Sequence, residues 1–366
     1  MLSVRIGSAI DPMPVDRTAK TAKFLEGCGF SSVWLSDETV VFNSPPEMVV
    51  PELFPTLAMV ASSTKKAKVG TAVIDASIRH PAKTAQSIAT VDSIAGGRLI
   101  VGIGGGEAGN REPFGIPMDH PFGRMEESVK VMKLLFRATY KNPVSFSGRF
   151  YSLKDAYLKI RPVQEGGPPI IVSGFGPRAL RLAGELGDGW LSFAHTPESY
   201  RETLRGPIAA AARNAGRSLK GFEATIVVPV CISKDRTKVV KTMGGIAKDW
   251  LVWSPDNMKL IAPNAVQPLV RQPYAKRNEP ASIRALAKLA ARISDEVALK
   301  MTVSGSADDC VEQLSAFVRS GVSHAVFYIV AIDKPWTMAA REVSEKILPH
   351  FDLGRDEPRT TRVKLV

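Results

Sequence analysis

The chain of 366 residues has little cysteine. Cys28, Cys231 and Cys310 lie too far apart for a CxxC pair or a metal knuckle, so they read as small buried hydrophobes. The five histidines are scattered and form no HExxH pair, and no metal site is expected. No apolar run reaches the roughly 18 residues of a membrane span. The opening MLSVRIGSAIDPMP lacks a basic segment followed by a long apolar core, so no secretory leader is expected and the expected location is cytoplasmic. Acid is the scarcer charge: 36 Asp and Glu stand against 48 Lys and Arg, a net charge of +12. The basic residues are dispersed and no nucleic-acid module is recognisable, which argues against nucleic acid as a partner. An anionic small molecule and a merely basic surface remain the two readings of that charge.

What is present is a regular alternation of strand-like and helix-like runs, the sign of parallel βα units. Strands are predicted at 3–8, 32–35, 68–74, 99–103, 169–172, 189–193, 224–232 and 324–330. Helices are predicted at 15–27, 54–63, 123–138, 177–186, 197–215, 281–298, 304–319 and 335–348, and from Pro81 to just before Gly96-Gly97. Eight strands with helices between them predict an α/β TIM barrel, (β/α)8, with insertions. An open doubly wound sheet is the alternative. The barrel is expected to occupy residues 1–353 as one domain, with insertions at about 144–158 and 250–280 and a charged tail at 354–366. Ser147-Gly148-Arg149 between β-prone runs marks the first insertion as a hairpin. The second carries Trp, Pro and Asn without a clear period and is expected to lie over the barrel mouth. With it, the loop at 42–51 is expected to shape a substrate pocket.

Barrel enzymes keep their chemistry at the C-terminal ends of the strands. After the fourth strand comes Gly102-Ile103-Gly104-Gly105-Gly106-Glu107-Ala108-Gly109-Asn110. This contains GxGxxG, but a dinucleotide site needs that pattern between a first strand and an immediate helix, and here Pro113, Gly115 and Pro117 follow. Glycines at a barrel strand end instead allow backbone to approach a flat ligand, with Gly106, Glu107 and Asn110 as the groups nearest it. A solvated glycine-rich turn is the competing reading. Asp37 and Glu38 leave the second strand side by side. Neighbouring carboxylates repel, so one can hold a proton near neutral pH and act as acid or base. Ser173-Gly174-Phe175-Gly176-Pro177-Arg178 joins the fifth strand to a helix with proline in its first turn. Free amides at such a helix start, with Arg178 nearby, form a candidate anion site.

In order along the chain, Trp34-Leu35-Ser36-Asp37, Gly70-Thr71-Ala72-Val73, Arg79-His80-Pro81-Ala82, the stretch from Gly97-Arg98 to Asn110, Gly176-Pro177, Leu182-Ala183-Gly184-Glu185 and Gly187-Asp188-Gly189-Trp190 resemble the luciferase-like monooxygenase superfamily. The resemblance is strongest to its branch that uses the deazaflavin coenzyme F420, and it runs through nearly the whole chain. It implies hydride transfer between F420 and a carbonyl/alcohol or methylene-pterin type of small-molecule substrate. It also implies Glu107 beside the ring, Asn110 and Asp37 holding the ring or ordering the site, and a cis peptide at Ala72-Val73 behind it. Gly174 and Gly176 would meet the cofactor phosphate, with Ser173 and Arg178 counted among the cofactor-binding residues, and the barrel would be a homodimer. Glu107, Glu38 and Asp37 are the candidate catalytic groups. Relatives place His after the Asp where this chain has Glu38, a carboxylate that can still act as acid or base but differs in charge and reach. FMN-dependent oxygenation on the same barrel and a non-catalytic flavin-binding or deazaflavin-binding barrel stand as alternatives.

Overall fold

The computed structural model describes residues 1–41, 47–263 and 280–353. Within them eight parallel strands close a barrel: β1 Arg5–Ala9, β2 Ser32–Leu35, β3 Lys68–Thr71, β4 Leu99–Gly104, β5 Ile170–Ser173, β6 Gly189–Phe193, β7 Glu223–Ile232 and β8 His324–Ile329. Each strand pairs with its neighbours in sequence, and β8 returns to β1 through His324 opposite Arg5. The expected TIM barrel is the fold. Side chains alternate along the strands, as the two-residue period of a strand requires. Ile6, Val33, Val69, Val101 and Ile170 pack outward under the helices. Trp34, Ile100, Ile171, Leu191 and Val326 fill the interior. Each fully buried side chain of this size adds roughly 1.5–3 kcal/mol to folding.

The helices start and stop where local chemistry directs. Pro81–Ala95 begins on proline and ends at Gly96, whose φ of 61° is the left-handed stop. Ala307–Ser320 is opened by a reciprocal Ser306–Asp309 capping box. Three sequence expectations shift. The third strand is interrupted, with Lys68–Thr71 and Ile74–Asp75 on either side of Ala72-Val73. The helix expected at 197–215 passes through a π turn at Leu204–Ile208 around Pro207, which lacks the N–H that an α-helical bond needs. A helix at Arg236–Val252 had no counterpart in the sequence reading. The expected hairpin is present as Val144–Ser147 paired antiparallel with Ser152–Ala156. In the second expected insertion, Pro255–Ile261 is helical, residues 264–279 lie outside the described residues, and the chain resumes in the helix Pro280–Ala290. Residues 42–46 and the tail at 354–366 also lie outside them. Among the described residues no helix is long and apolar enough to cross a membrane.

The N-terminal end of the barrel is closed by a chain of polar contacts. Trp34 Nε1 donates to Ser32 Oγ at 2.8 Å. Ser32 Oγ lies 2.7 Å from His324 Nε2, and His324 Nδ1 lies 2.6 Å from Glu223 Oε1. Arg5 completes the chain with an ion pair to Glu223 at 2.9 Å. Burial holds the His324 imidazole below its ordinary value, although the bond to Glu223 works the other way. Burial alone would push the Glu223 carboxyl up, but the His324 bond and the charges of His324, Arg5 and Lys68 hold it down. The chain therefore runs one way: indole to hydroxyl, hydroxyl to neutral imidazole, imidazole to carboxylate.

Candidate active site

The C-terminal end of the barrel opens into a cavity of about 420 Å³. Its base is apolar, made of Ala9, Trp34, Ala72, Val73, Leu191 and Val227. The Ala72-Val73 peptide is cis, as the resemblance implies. Two glycines at and just beyond the end of β4 owe their presence to nearer neighbours than a ligand. A Cβ on Gly104 would lie 2.7 Å from a Val73 methyl carbon. Gly106 has a φ of 75°, and a Cβ there would lie 2.0 Å from Asp75 Oδ2. The glycine run thus lets β4 press against the Ala72-Val73 bend and leaves room for a buried ion pair. That pair is Asp75 with Arg111: Arg111 Nε donates to Asp75 Oδ2 at 2.6 Å, and its Nη2 reaches both Asp75 and the Gly105 carbonyl. A bidentate pair with further bonds is the geometry that makes a buried ion pair tolerable.

The candidate residues divide by place. Asp37, Glu38, Ala72, Val73, Gly106, Glu107, Asn110 and Ser173 all line the cavity. Asp37 is held there by other protein groups: Arg79 donates to its two oxygens at 2.6 and 3.0 Å, and the Asp75 amide at 3.1 Å. The Asn110 amide oxygen accepts from the backbone of Thr39 at 2.7 Å and Val40 at 2.9 Å, which pins the loop carrying Glu38. Gly174, Gly176 and Arg178 lie outside the lining, on the loop and helix start beside it. No side chain caps the helix Pro177–Glu185, and Arg178 is exposed. The Gly174 carbonyl accepts from Trp190 Nε1 at 3.0 Å, which fixes that loop to β6.

Glu38 is the group whose chemistry is most altered. Burial first, then the charges of Glu107, Asp11 and Asp37, push its carboxyl up to about 7, against a hydrogen bond with Ser36. It is therefore half protonated at neutral pH, the condition for a group that gives or takes a proton there. Two further groups escaped the sequence reading. Asp11 follows β1, and burial raises its carboxyl against a hydrogen bond with Tyr328. Tyr328 stands in β8, its hydroxyl pushed up to about 12 by burial and by Asp11. Trp250 and Trp253, which also line the cavity, come from the end of the unexpected helix and the residue after it. The rule that barrel sites sit at strand ends points to Asp11 and Tyr328; the two tryptophans open the segment expected over the barrel mouth, and they line the cavity as that expectation has it.

Comparison with known proteins follows this geometry. The family described as luciferase-like monooxygenase matches residues 1–324. The chain belongs to the luciferase-like family. Its similarity to 5,10-methylenetetrahydromethanopterin reductase of Archaeoglobus fulgidus is 28% identity over 83% of this chain and 86% of that one. F420-dependent glucose-6-phosphate dehydrogenase of Beutenbergia cavernae is also 28% identical, over 92% of this chain and 94% of its own. Among solved structures, an F420-dependent secondary alcohol dehydrogenase in complex with an F420-acetone adduct superposes with a TM-score of 0.76 at 22% identity, covering 96% of this chain and 99% of that one. The tetrahydromethanopterin reductase of Methanopyrus kandleri gives 0.75 at 22% identity, over 95% and 99%. These structures share the luciferase-like barrel end to end.

Proposed function

We propose that this luciferase-like chain is an F420-dependent oxidoreductase that moves a hydride between the deazaflavin and a carbonyl/alcohol or methylene-pterin type of substrate. The observation that carries the reading is Glu38, a carboxyl that ionises at about 7, facing an apolar-based cavity at the C-terminal end of the barrel. The F420-dependent activities of the relatives support it. The residues present fit the cofactor. A flat apolar base suits a tricyclic ring, Glu107, Asn110 and Ser173 supply polar groups at its edge, and the uncapped helix at Pro177 with Arg178 suits a phosphate. When bound, F420 supplies or accepts a hydride and, with carbon at its reactive position, does not suit oxygen activation; the F420-dependent relatives favour it over FMN.

The protein's share is position and protonation. The Asp37–Arg79 pair and the Asn110 amide hold the loop that presents Glu38. Burial, and after it the Glu107 charge, keep Glu38 protonated up to neutrality. Protonated Glu38 gives its proton to the substrate oxygen in reduction and takes it back in oxidation. Fluorescence titration with F420 and, separately, FMN tests the reading: saturable binding of F420 with weaker or absent binding of FMN is expected, and the reverse would sink it. The reading includes a cytoplasmic homodimer, and a monomeric mass by light scattering at micromolar concentration would contradict the dimer.

A further inference from the structure

The segments that follow β2, β3 and β4 are tied to one another by polar contacts that form a ring. The Asp75 amide donates to Asp37 Oδ2 at 3.1 Å. The Asp75 carboxylate accepts from Arg111, with the Nε bond at 2.6 Å, and from the Ser77 amide at 2.9 Å. Arg111 Nη2 also donates to the Gly105 carbonyl at 2.7 Å. Asn110, the neighbour of Arg111 in sequence, closes the ring, because its side-chain oxygen accepts from the Thr39 and Val40 amides at 2.7 and 2.9 Å. Starting at Asp37, the ring runs to Asp75, Arg111 and Asn110 and returns at Thr39.

Two carboxylates of the mouth sit inside spans that this ring anchors at both ends. Glu38 stands between Asp37 and Thr39. Glu107 stands between Gly105, held by Arg111, and Asn110, whose amide donates to the Glu107 carbonyl at 3.1 Å. The contacts converge on Arg111, which is fully buried, grips Asp75 with two nitrogens and reaches Gly105 as well. Gly106 makes that approach possible, since a Cβ there would collide with Arg111 Nη2. A planar guanidinium fork holds direction as well as charge, which a flexible ammonium does not.

We infer that Arg111 is a positioning residue: through Asp75, Gly105 and Asn110 it fixes the separation of Glu38 and Glu107 before any ligand enters. It acts through those two carboxylates and not on the reacting atoms. The inference rests on the F420 reading only for the use made of the Glu38 proton. Such a frame matters because a small displacement of a reacting group lowers rate steeply. It also governs protonation. Burial and the charges of Glu107, Asp11 and Asp37 push the Glu38 carboxyl up to about 7 against the Ser36 bond, and Tyr328 feels the Glu38 charge in turn. Loosening the ring admits water to Glu38 and moves Glu107 away from it. The two largest causes then weaken together, and the Glu38 midpoint falls toward its ordinary 4.5.

The test titrates Glu38 in the cofactor-free full chain by infrared difference spectroscopy of the carboxyl stretch, each protein measured against its own Glu38→Gln counterpart. A parent midpoint of about 7 is expected. Arg111→Lys keeps the positive charge and loses the fork, and its midpoint should fall by about one unit or more. If Arg111 acted by charge alone, or only stabilised the fold, a folded Arg111→Lys would titrate like the parent, and that result overturns the inference. Should Arg111→Lys fail to fold by circular dichroism, Asn110→Ala opens the ring at its other side without a change of charge. The same fall is expected there, and an unchanged midpoint overturns the inference. A parent midpoint near 4.5 overturns both the proton role of Glu38 and this inference. The measurement contains no F420, so failure of the chain to bind F420 would end that reading and leave this one standing.

Discussion

The two ends of this barrel carry ionisable groups assembled in opposite ways. At the N-terminal end, Arg5, Glu223, His324, Ser32 and Trp34 hand hydrogen bonds along one line, and each charge meets a partner. At the C-terminal end, Asp11, Glu38 and Glu107 crowd one mouth, and burial and mutual repulsion hold the Glu38 carboxyl at about 7. The lower cluster shows what satisfied polar chemistry looks like when its work is structural. The upper one shows acid left electrostatically strained, as sites of proton transfer are. The contrast also disposes of a tempting misreading. Ser32, His324 and Glu223 reproduce the spacing of a hydroxyl–imidazole–carboxylate triad, with 2.7 and 2.6 Å contacts. Yet Ser32 is fully buried, its oxygen accepts from Trp34, and a Cβ on Gly7 would sit 1.9 Å from it. No substrate carbonyl can reach that oxygen, so triad geometry here is scaffolding.

The largest effect is expected at the mouth. Glu38→Gln keeps shape and removes the proton, so turnover of a ketone should fall by about 10²–10⁴-fold, with F420 affinity retained. Parent turnover should hold steady below pH 7 and decline above it, because the protonated acid is the active form. In Glu38→Gln that decline should vanish; its persistence would assign the proton to another group. The counterpart at the other end is Glu223→Leu, which takes the carboxylate partner from Arg5 and His324. Removing one member of a buried pair costs about 3–5 kcal/mol, to be read by denaturant unfolding. A loss below about 1 kcal/mol would show that the lower cluster is not the structural element described above.

Much of this architecture was legible beforehand. Strand positions, the proline helix starts at Pro81 and Pro177 and the hairpin followed from period and punctuation, which act locally. The pairing of Glu38 with Glu107 at one mouth followed once strands β2 and β4 were placed in a barrel. What could not be read were contacts made only by closure. Asp11 and Tyr328 meet because β1 closes on β8, and no local pattern encodes that. Trp250 was expected over the mouth, but not the helix Arg236–Val252 that carries it there. Arg111, which no local pattern singles out, is fully buried on Asp75, the partner for which Gly106 makes room. Asn110 lines the cavity, and its side-chain oxygen accepts from the Thr39 and Val40 amides, a contact that no local pattern encodes.

The two ends should also answer to pH with opposite sign. Glu223 and His324 are both held below their ordinary values, so the stability they contribute is present at neutral pH and is lost as acid protonates them. Glu38 ionises at about 7 in the folded chain and near its ordinary value of 4.5 when unfolded. Between those values the folded state binds the extra proton, so stability falls as pH rises through that window and stays lower above it. The cost above pH 7 is up to about 3 kcal/mol. Glu38→Gln should therefore be more stable than the parent at pH 8 and indistinguishable from it at pH 4.5. Equal unfolding midpoints at pH 8 would show that Glu38 carries no such strain.

The smallest effect separates the two mouth carboxylates from each other. Glu107 raises the Glu38 carboxyl through its charge, as the largest contribution after burial. Glu107→Gln removes that charge while keeping the side chain's size. If Glu107 acts only in this way, the alkaline decline of ketone turnover should move to lower pH by up to about one unit, a shift within the usual environmental range. Turnover well below pH 6 should stay near that of the parent, since Glu38 is protonated there in both proteins. A proton donor at Glu107 itself would instead lower turnover at every pH, by about tenfold or more. A pH profile of kcat from pH 5 to 9 for parent and variant distinguishes a moved limb from a lowered plateau. The moved limb is the expected outcome, because Glu38 is the carboxyl poised at about 7 while Glu107 lies exposed at the rim.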